Sequence, residues 1–179
     1  MALAATVYNF EIDLADADRG VYEALALKVA RHPSETEDYL STRVLAYCLE
    51  YTEGLVFSRG LSMPEEPALA VRDLTGTLLA WIDVGTPDAA RLHKASKAAP
   101  RVAVYTHKAQ QLLAALAGER IHRAEALELY AIEREVIAGL AARLTRRTRF
   151  ALSVSGRHLY LSIANATLTG EVGRLSPGE

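Results

Sequence analysis

The sequence predicts an α/β fold: a single compact domain with a mixed sheet, flanking helices and hairpins. Three observations predict it. Apolar residues alternate near the start, through Val7, Phe10, Ile12 and Leu14, and near the end, through Phe150, Leu152 and Val154. Between them lie two almost wholly apolar runs, Thr77 to Val84 and Arg101 to Thr106, separated by a helical segment. Alternation marks a strand with one solvated face, and an unbroken apolar run marks a strand covered on both. A buried strand, a helix and a second buried strand make a right-handed crossover the default. The 179 residues suffice for one full hydrophobic core, and no repeat or linker divides residues 1–179.

Each element has its own signal. Residues 4–14 and 21–31 read as a hairpin turned at Asp16 to Gly20. Asp13, Asp16 and Asp18 lack the spacing and terminal glutamate of a calcium loop, so they read as a polar turn. Pro33 stops the second strand, Ser34 is the expected helix cap, and Glu37 completes a capping box. Leu40, Val44, Tyr47, Cys48 and Tyr51 follow at helical spacing, with an end near Gly54. Residues 55–72, including Met63-Pro64-Glu65-Glu66-Pro67, read as an irregular connection. Thr86 as cap and Pro87 at the first position start a helix that runs to about Ala98. A helix over 108–117 stops at Gly118, and residues 126–132 read as a strand. Ile137, Leu140, Ala141 and Leu144 form one helical face. A last hairpin turns at Ser155-Gly156 into Leu159, Leu161 and Ile163.

Composition excludes several classes. The apolar runs fall short of the roughly 20 residues a membrane span needs, so no membrane role is expected. The chain opens without the charged and apolar regions of a secretory leader, and Cys48 is its only cysteine; both fit a cytoplasmic setting. Net charge is −2, yet residues 1–70 carry 12 acids and 5 bases while residues 71–179 carry 10 acids and 15 bases. Residues 89–118 and 136–170 contain no acid, and the second stretch holds Arg143, Arg146, Arg147, Arg149 and Arg157. Such clusters either track a phosphate backbone or form ordinary solvated faces.

Few residues carry candidate chemistry. Asp83 sits in an apolar strand on the face of Leu79 and Trp81, where a carboxylate is costly unless paired or ligated. Its place at a strand end is where open α/β sheets bind ligands; the alternative is a cap on the Gly85 turn. Asp73 lies ten residues earlier and either converges with Asp83 on a cation or serves as a turn aspartate before Gly76. Oxygen ligands without nearby nitrogen or sulfur suit magnesium or manganese. Glu35 favours the first turn of a helix through its dipole, and Lys94 shares a basic face with Arg91 and Lys97. The five histidines lack paired-ligand spacing, and no serine-hydrolase, P-loop or dinucleotide motif occurs. Asn165-Ala166-Thr167 matches a glycosylation acceptor that a cytoplasmic chain does not use.

Several ordered blocks together resemble the YaeQ family of bacterial proteins. They are Ala5-Thr6-Val7-Tyr8-Asn9-Phe10-Glu11 with Asp16-Ala17-Asp18-Arg19, and Ala30-Arg31-His32-Pro33-Ser34-Glu35-Thr36. Glu66-Pro67, Asp73-Leu74-Thr75-Gly76, Trp81 through Asp88, and Val104-Tyr105-Thr106 continue the match. The resemblance implies a compact variation on the PD-(D/E)XK nuclease fold. There, two acids bind a divalent cation and a lysine orients water for phosphodiester attack. Carried over, Asp73 is the first acid, Asp83 the second and Glu35 the helix acid. Gly85 stands where the lysine belongs, and Lys94 is the candidate substitute.

Two readings follow. In the first, the chain is a magnesium- or manganese-dependent nuclease-like hydrolase, with Asp73, Asp83 and Glu35 on the metal and Lys94 positioning water. In the second, it is a catalytically degenerate nuclease-like fold that binds nucleic acid or a protein partner.

Overall fold

The computed structural model describes residues 4–58 and 65–176. Met63-Pro64, part of the expected irregular connection, lies outside the described residues. The chain opens with the expected hairpin, β1 (Thr6–Asp16) and β2 (Val21–Arg31). Helix α1 (Glu37–Leu49) is followed by two short strands, β3 (Leu55–Phe57) and β4 (Leu69–Arg72). Then come β5 (Leu78–Val84), α2 (Ala89–Ala98), β6 (Arg101–Thr106) and α3 (Ala109–Leu116). The chain continues through β7 (Glu128–Ile132) and α4 (Arg134–Ala141) to β8 (Arg147–Ser155), β9 (His158–Ile163) and β10 (Ala166–Leu175).

The described strands form one mixed sheet in the order β2-β1-β8-β9-β10-β7-β6-β5-β4-β3, curled into a nearly closed barrel. The pair β5–β6 is parallel, as the two apolar runs predict, and β6–β7 is parallel as well. β10 makes the curl continuous: residues 166–171 pair with β9 and residues 172–175 with β7. Its neighbour α4 lies close against it because Gly139 and Gly170 have no side chain. A Cβ on Gly139 would meet Leu168 at 2.7 Å, and one on Gly170 would meet Val136 at 2.6 Å.

Period-two alternation sorts the core. Ile82, Val84, Ala103 and Tyr105 face inward with Phe10, Ile12, Phe150 and Leu152, against α1 and α4. Trp81, Val102, Val104 and Leu129 face outward, against Leu92 and Ala95 of α2 and Leu112 and Leu116 of α3. Phe10 and Phe150 meet edge to face at 6.5 Å, and either one cut to alanine costs about 3–5 kcal/mol. Helix α1 buries Ser41, Thr42 and Arg43 as well as its apolar residues, so it fills the curl rather than covering it.

Polar ties fix α1 at its middle and at its carboxyl end. The Arg43 guanidinium donates to the Ala30 carbonyl at 2.7 Å and lies 5.7 Å from the Phe57 ring, which bridges the two edge strands β2 and β3. Arg19 donates to the Cys48 carbonyl in the last turn of the helix and to the Tyr51 carbonyl just beyond it, and pairs with Asp16. Asp18 accepts the backbone N–H groups of Gly156 and Arg157 and so ties two hairpin turns together, whereas Asp13 and Asp16, also expected in the turn, lie in β1. Those bonds hold the exposed Asp18 carboxyl below its ordinary value. At the carboxyl end of α1, Arg101 makes two bonds to Glu50 and two to Glu128, while the Tyr105 and Tyr130 hydroxyls donate to the same acids at 2.6 Å.

Several expected details are corrected. Residues 55–72 contain β3 and β4, where three- and four-residue strands are too short to show alternation. The α1 cap is Thr36, which accepts from Tyr39 N–H at 3.0 Å, because Ser34 Oγ is engaged by His32. The α2 cap is Asp88, which accepts from Arg91 N–H at 2.8 Å and outcompetes the hydroxyl of Thr86. Helix α1 ends at Leu49 rather than near Gly54. The last hairpin is a three-stranded meander, because β10 follows β9.

Candidate functional site

Strand β5 delivers Asp83 to its carboxyl-terminal end, with Thr86 and Pro87 in the turn beyond. Helix α1 brings Tyr39 and Arg43 from the inner side, four residues apart and therefore on one stripe. Helix α2 brings Arg91 from the outer side. With Ser58, Glu66, Ala68 and Val84 these residues line a cleft of about 260 Å³.

Two acid–arginine pairs border it. Asp83 is 3% exposed and accepts from Arg91 Nε at 2.7 Å and Arg91 Nη2 at 3.0 Å, one bond to each carboxylate oxygen. Such a bidentate fork holds both charges in fixed geometry. Burial opposes the charge on Arg91, but the bond and charge of Asp83 outweigh it and hold the guanidinium above its ordinary value. Arg91 also lies 5.3 Å from the Trp81 ring and donates to the Glu66 carbonyl. The second pair is looser. Glu35 is fully buried, accepts from His32 N–H at 3.1 Å and lies 3.4 Å from Arg43 Nη2. Glu35 Oε2 and Arg43 Nε find no hydrogen-bond partner among the described residues. Between the pairs, burial pushes the Tyr39 phenol up to about 12; Arg43 pulls it back, and Glu35 and Asp83 add to the rise.

The sequence-predicted residues are thus divided. Asp83 lines the cleft, and Glu35 lies buried behind its wall against Arg43; the charges of both act on Tyr39. Asp73 does not join them. It sits in the β4–β5 turn, where its Oδ1 accepts from the Thr75 hydroxyl and from Thr75 and Thr77 N–H groups. Those bonds hold its exposed carboxyl below the ordinary value. The length of β5 separates it from Asp83 by about 20 Å at 3.3 Å per residue. Lys94 pairs with Glu65, both side chains more than half exposed, and does not line the cleft. The lysine absent at Gly85 has a backbone cause. Gly85 has φ +91°, and a Cβ there would meet the Tyr39 ring at 3.3 Å, so a lysine would be strained and crowded.

A resident magnesium or manganese does not fit this donor set. Both Asp83 oxygens are taken by Arg91, Asp73 is at the far end of β5, and no group of three metal-ligating side chains occurs among the described residues. Tyr39, Arg43 and Arg91 escape sequence reasoning. The one available signal is the four-residue spacing of Tyr39 and Arg43, which places these two on one helical stripe; Arg91 has none.

Fold and site define a class: α/β proteins with a curled mixed sheet packed on its inner face against two helices, and a cleft of paired charges at the carboxyl end of β5. The chain belongs to the YaeQ family, whose model matches residues 1–172. It is 38% identical to the Escherichia coli K12 protein named uncharacterized protein YaeQ over 110 residues, 62% of this chain and 61% of that one. A Salmonella typhi YaeQ protein is 39% identical over the same length. The crystal structure of YaeQ protein from Pseudomonas syringae superposes with a TM-score of 0.84 at 33% identity, covering 98% of this chain and 97% of that one. The Xanthomonas axonopodis pv. citri YaeQ structure gives 0.80 at 29% identity, covering 95% and 97%. No helix among the described residues is long and apolar enough to cross a membrane.

Proposed function

We propose that this chain binds nucleic acid without cleaving it, on a nuclease-like scaffold in which an arginine stands where a catalytic cation would. The observation that carries this reading is the Arg91 fork on Asp83. Hydrolysis through Asp83 and Glu35 would require a divalent ion to displace that guanidinium, without help from distant Asp73 or from Lys94, which pairs with Glu65 outside the cleft. The nuclease-like relationship is part of the proposal; Glu35 at the lead into α1 beside Asp83 on β5 supports it.

Binding rests on the outer face of β2, β1 and β8, where cations gather from separate elements. Lys28, Asn9 and Arg147 form one row across the three strands, and Ala26, Glu11 and Arg149 the next. Arg143, Arg147 and Arg149 share a neighbouring groove. Glu11 pairs with Arg149 at 3.0 Å with both side chains largely exposed, so a phosphate exchanges for it at little cost. Arg146 and Arg147 lead into β8 and stay exposed. Phosphate contacts from such cations release counterions, which makes binding steeply salt-dependent.

Fluorescence anisotropy with labelled DNA and RNA strands at rising salt tests the reading. Affinity should fall with salt, and Arg147→Glu should weaken binding across sequences and flatten the slope by about 1 or more. The same nucleic acids incubated with magnesium or manganese should remain intact. Metal-dependent cleavage would restore the hydrolase reading, and absence of any salt-sensitive binding would remove the nucleic-acid one.

A further inference from the structure

We infer that the cleft between α1, β5 and α2 receives one unpaired base of a single strand whose phosphates lie on the basic rows; this rests on the nucleic-acid reading above. Charge gives the first reason. The two cations of the cleft, Arg43 and Arg91, already face Glu35 and Asp83, and Glu66 adds an acid to the wall. A phosphate brought there would meet the carboxylates of Asp83 and Glu66, with Glu35 already holding Arg43 from behind the wall, and desolvating it without a surplus cation is costly. A neutral heterocycle meets no such penalty.

Shape and surface give the second. About 260 Å³ has room for one planar ring system and excludes a duplex. Val84, Ala68 and Pro87 supply apolar wall, while the Ser58, Thr86 and Tyr39 hydroxyls can each donate to or accept from a base edge. Arg91 is held in plane by Asp83 and backed by Trp81, and its side chain keeps 28% exposure in the cleft wall. A guanidinium fixed in this way is a stacking plate for a base.

The route gives the third. β2 is the edge of the sheet, so a strand can pass from the outer face over its rim. Lys28 lies two residues from Ala30, about 7 Å along the strand, and the Ala30 carbonyl is bonded to Arg43. Arg43, a residue of the cleft wall, is thus bonded to the same edge strand that carries Lys28. Bases in a duplex are paired and stacked, so only a single strand or an everted nucleotide reaches the cleft.

Anisotropy with matched single-stranded and duplex oligonucleotides, repeated with Thr86→Trp, tests this. Thr86 is exposed at the cleft, so tryptophan there closes the opening without burying a new group. The wild type should prefer the single strand by about ten-fold or more, the size of one stacked base. Thr86→Trp should bring single-strand affinity down to the duplex value, with the salt dependence kept. A 2-aminopurine placed in the single strand should change emission on binding to the wild type, a readout that needs no variant. Equal single-strand and duplex affinity with unchanged 2-aminopurine emission would overturn the base cleft and leave the nucleic-acid reading standing. Failure of both oligonucleotides to bind at low salt would overturn that reading as well.

Discussion

At the amino end of β6, Arg101 is gripped by Glu50 and Glu128 with four hydrogen bonds, and two tyrosine hydroxyls close the network. At the carboxyl end of β5, Arg91 makes two bonds to Asp83 and one to the Glu66 carbonyl, and the neighbouring Glu35–Arg43 pair leaves an oxygen and a nitrogen without hydrogen bonds among the described residues. Both ends bury carboxylates against arginine and both border a cleft, of about 270 Å³ at the first and about 260 Å³ at the second, yet among the described residues only the second leaves buried atoms of its charge pairs without a partner. A buried charge pair with every lone pair occupied locks elements together, whereas one with spare groups beside open volume leaves affinity for a ligand. The difference teaches that pairing alone does not separate a structural site from a binding site; completeness of pairing does.

The sharpest break is removal of each arginine. Arg101→Met strands two carboxylates and should cost about 3 kcal/mol, at the low end of the cost of breaking a buried pair because Arg101 is 38% exposed. Arg91→Met strands one and should cost about 2 kcal/mol. Urea unfolding at neutral pH measures both, and a larger loss for Arg91 would reverse the contrast.

Hydroxyl deletion comes next. Tyr105 donates to Glu50 at 2.6 Å, so Tyr105→Phe should cost about 1.5 kcal/mol, the low end for a bond to a charged acceptor. Tyr39 has no hydroxyl hydrogen bond to a described residue, so Tyr39→Phe should cost less than about 0.5 kcal/mol. Comparable losses at the two positions would show that the Tyr39 hydroxyl is already engaged.

The two ends of β5 can also be compared through glycine. Gly76 and Gly85 have φ +88° and +91°, but a Cβ meets nothing within 4 Å at Gly76 and the Tyr39 ring at 3.3 Å at Gly85. Each substitution to alanine should cost about 1–2 kcal/mol of left-handed strain. Gly85→Ala should exceed Gly76→Ala by the shift forced on Tyr39. Thermal melts of the pair read the difference, and Gly85→Lys should lower stability without creating metal-dependent cleavage.

The smallest effect is a pH dependence confined to the cleft end. His107, at the end of β6, contacts Thr42 at 3.2 Å, and burial holds its pKa below the ordinary 6.5. The unfolded chain therefore takes up this proton first as pH falls. The stability His107 contributes is present above about 6.5 and is lost as pH drops toward its lowered folded value. The loss is modest because the group is half-buried. His107→Gln should flatten the stability profile between about pH 7 and 5; an unchanged profile would assign the acid sensitivity to other groups.

Much of this fold is legible in the sequence because its strands and helices carry strong periodicity. β1, β2, β8 and β9 alternate, β5 and β6 are unbroken apolar runs, and α1 repeats its core residues at helical spacing. β3 and β4 escape because they are short, and β10 because it carries two glycines and pairs with two different neighbours along its length. The site was legible in half. Asp83 announced itself as a carboxylate in an apolar strand, and Glu35 stood beside a recognisable helix start. Asp73 looked equivalent only because sequence distance hides that β5 runs the full way between the two aspartates.

By itself, the sequence determined the local elements and the buried carboxylate, since periodicity, turn residues and the cost of burying charge act within short stretches of chain. Only the tertiary structure decided which cation each acid meets. Arg43 reaches Ala30 and Glu35 because α1 lies inside the curl, and Arg91, rather than Lys94, faces Asp83 because of where Asp88 starts its helix. Charge pairing depends on angstrom-scale approach between elements far apart in the chain, and no periodicity in the sequence records that approach.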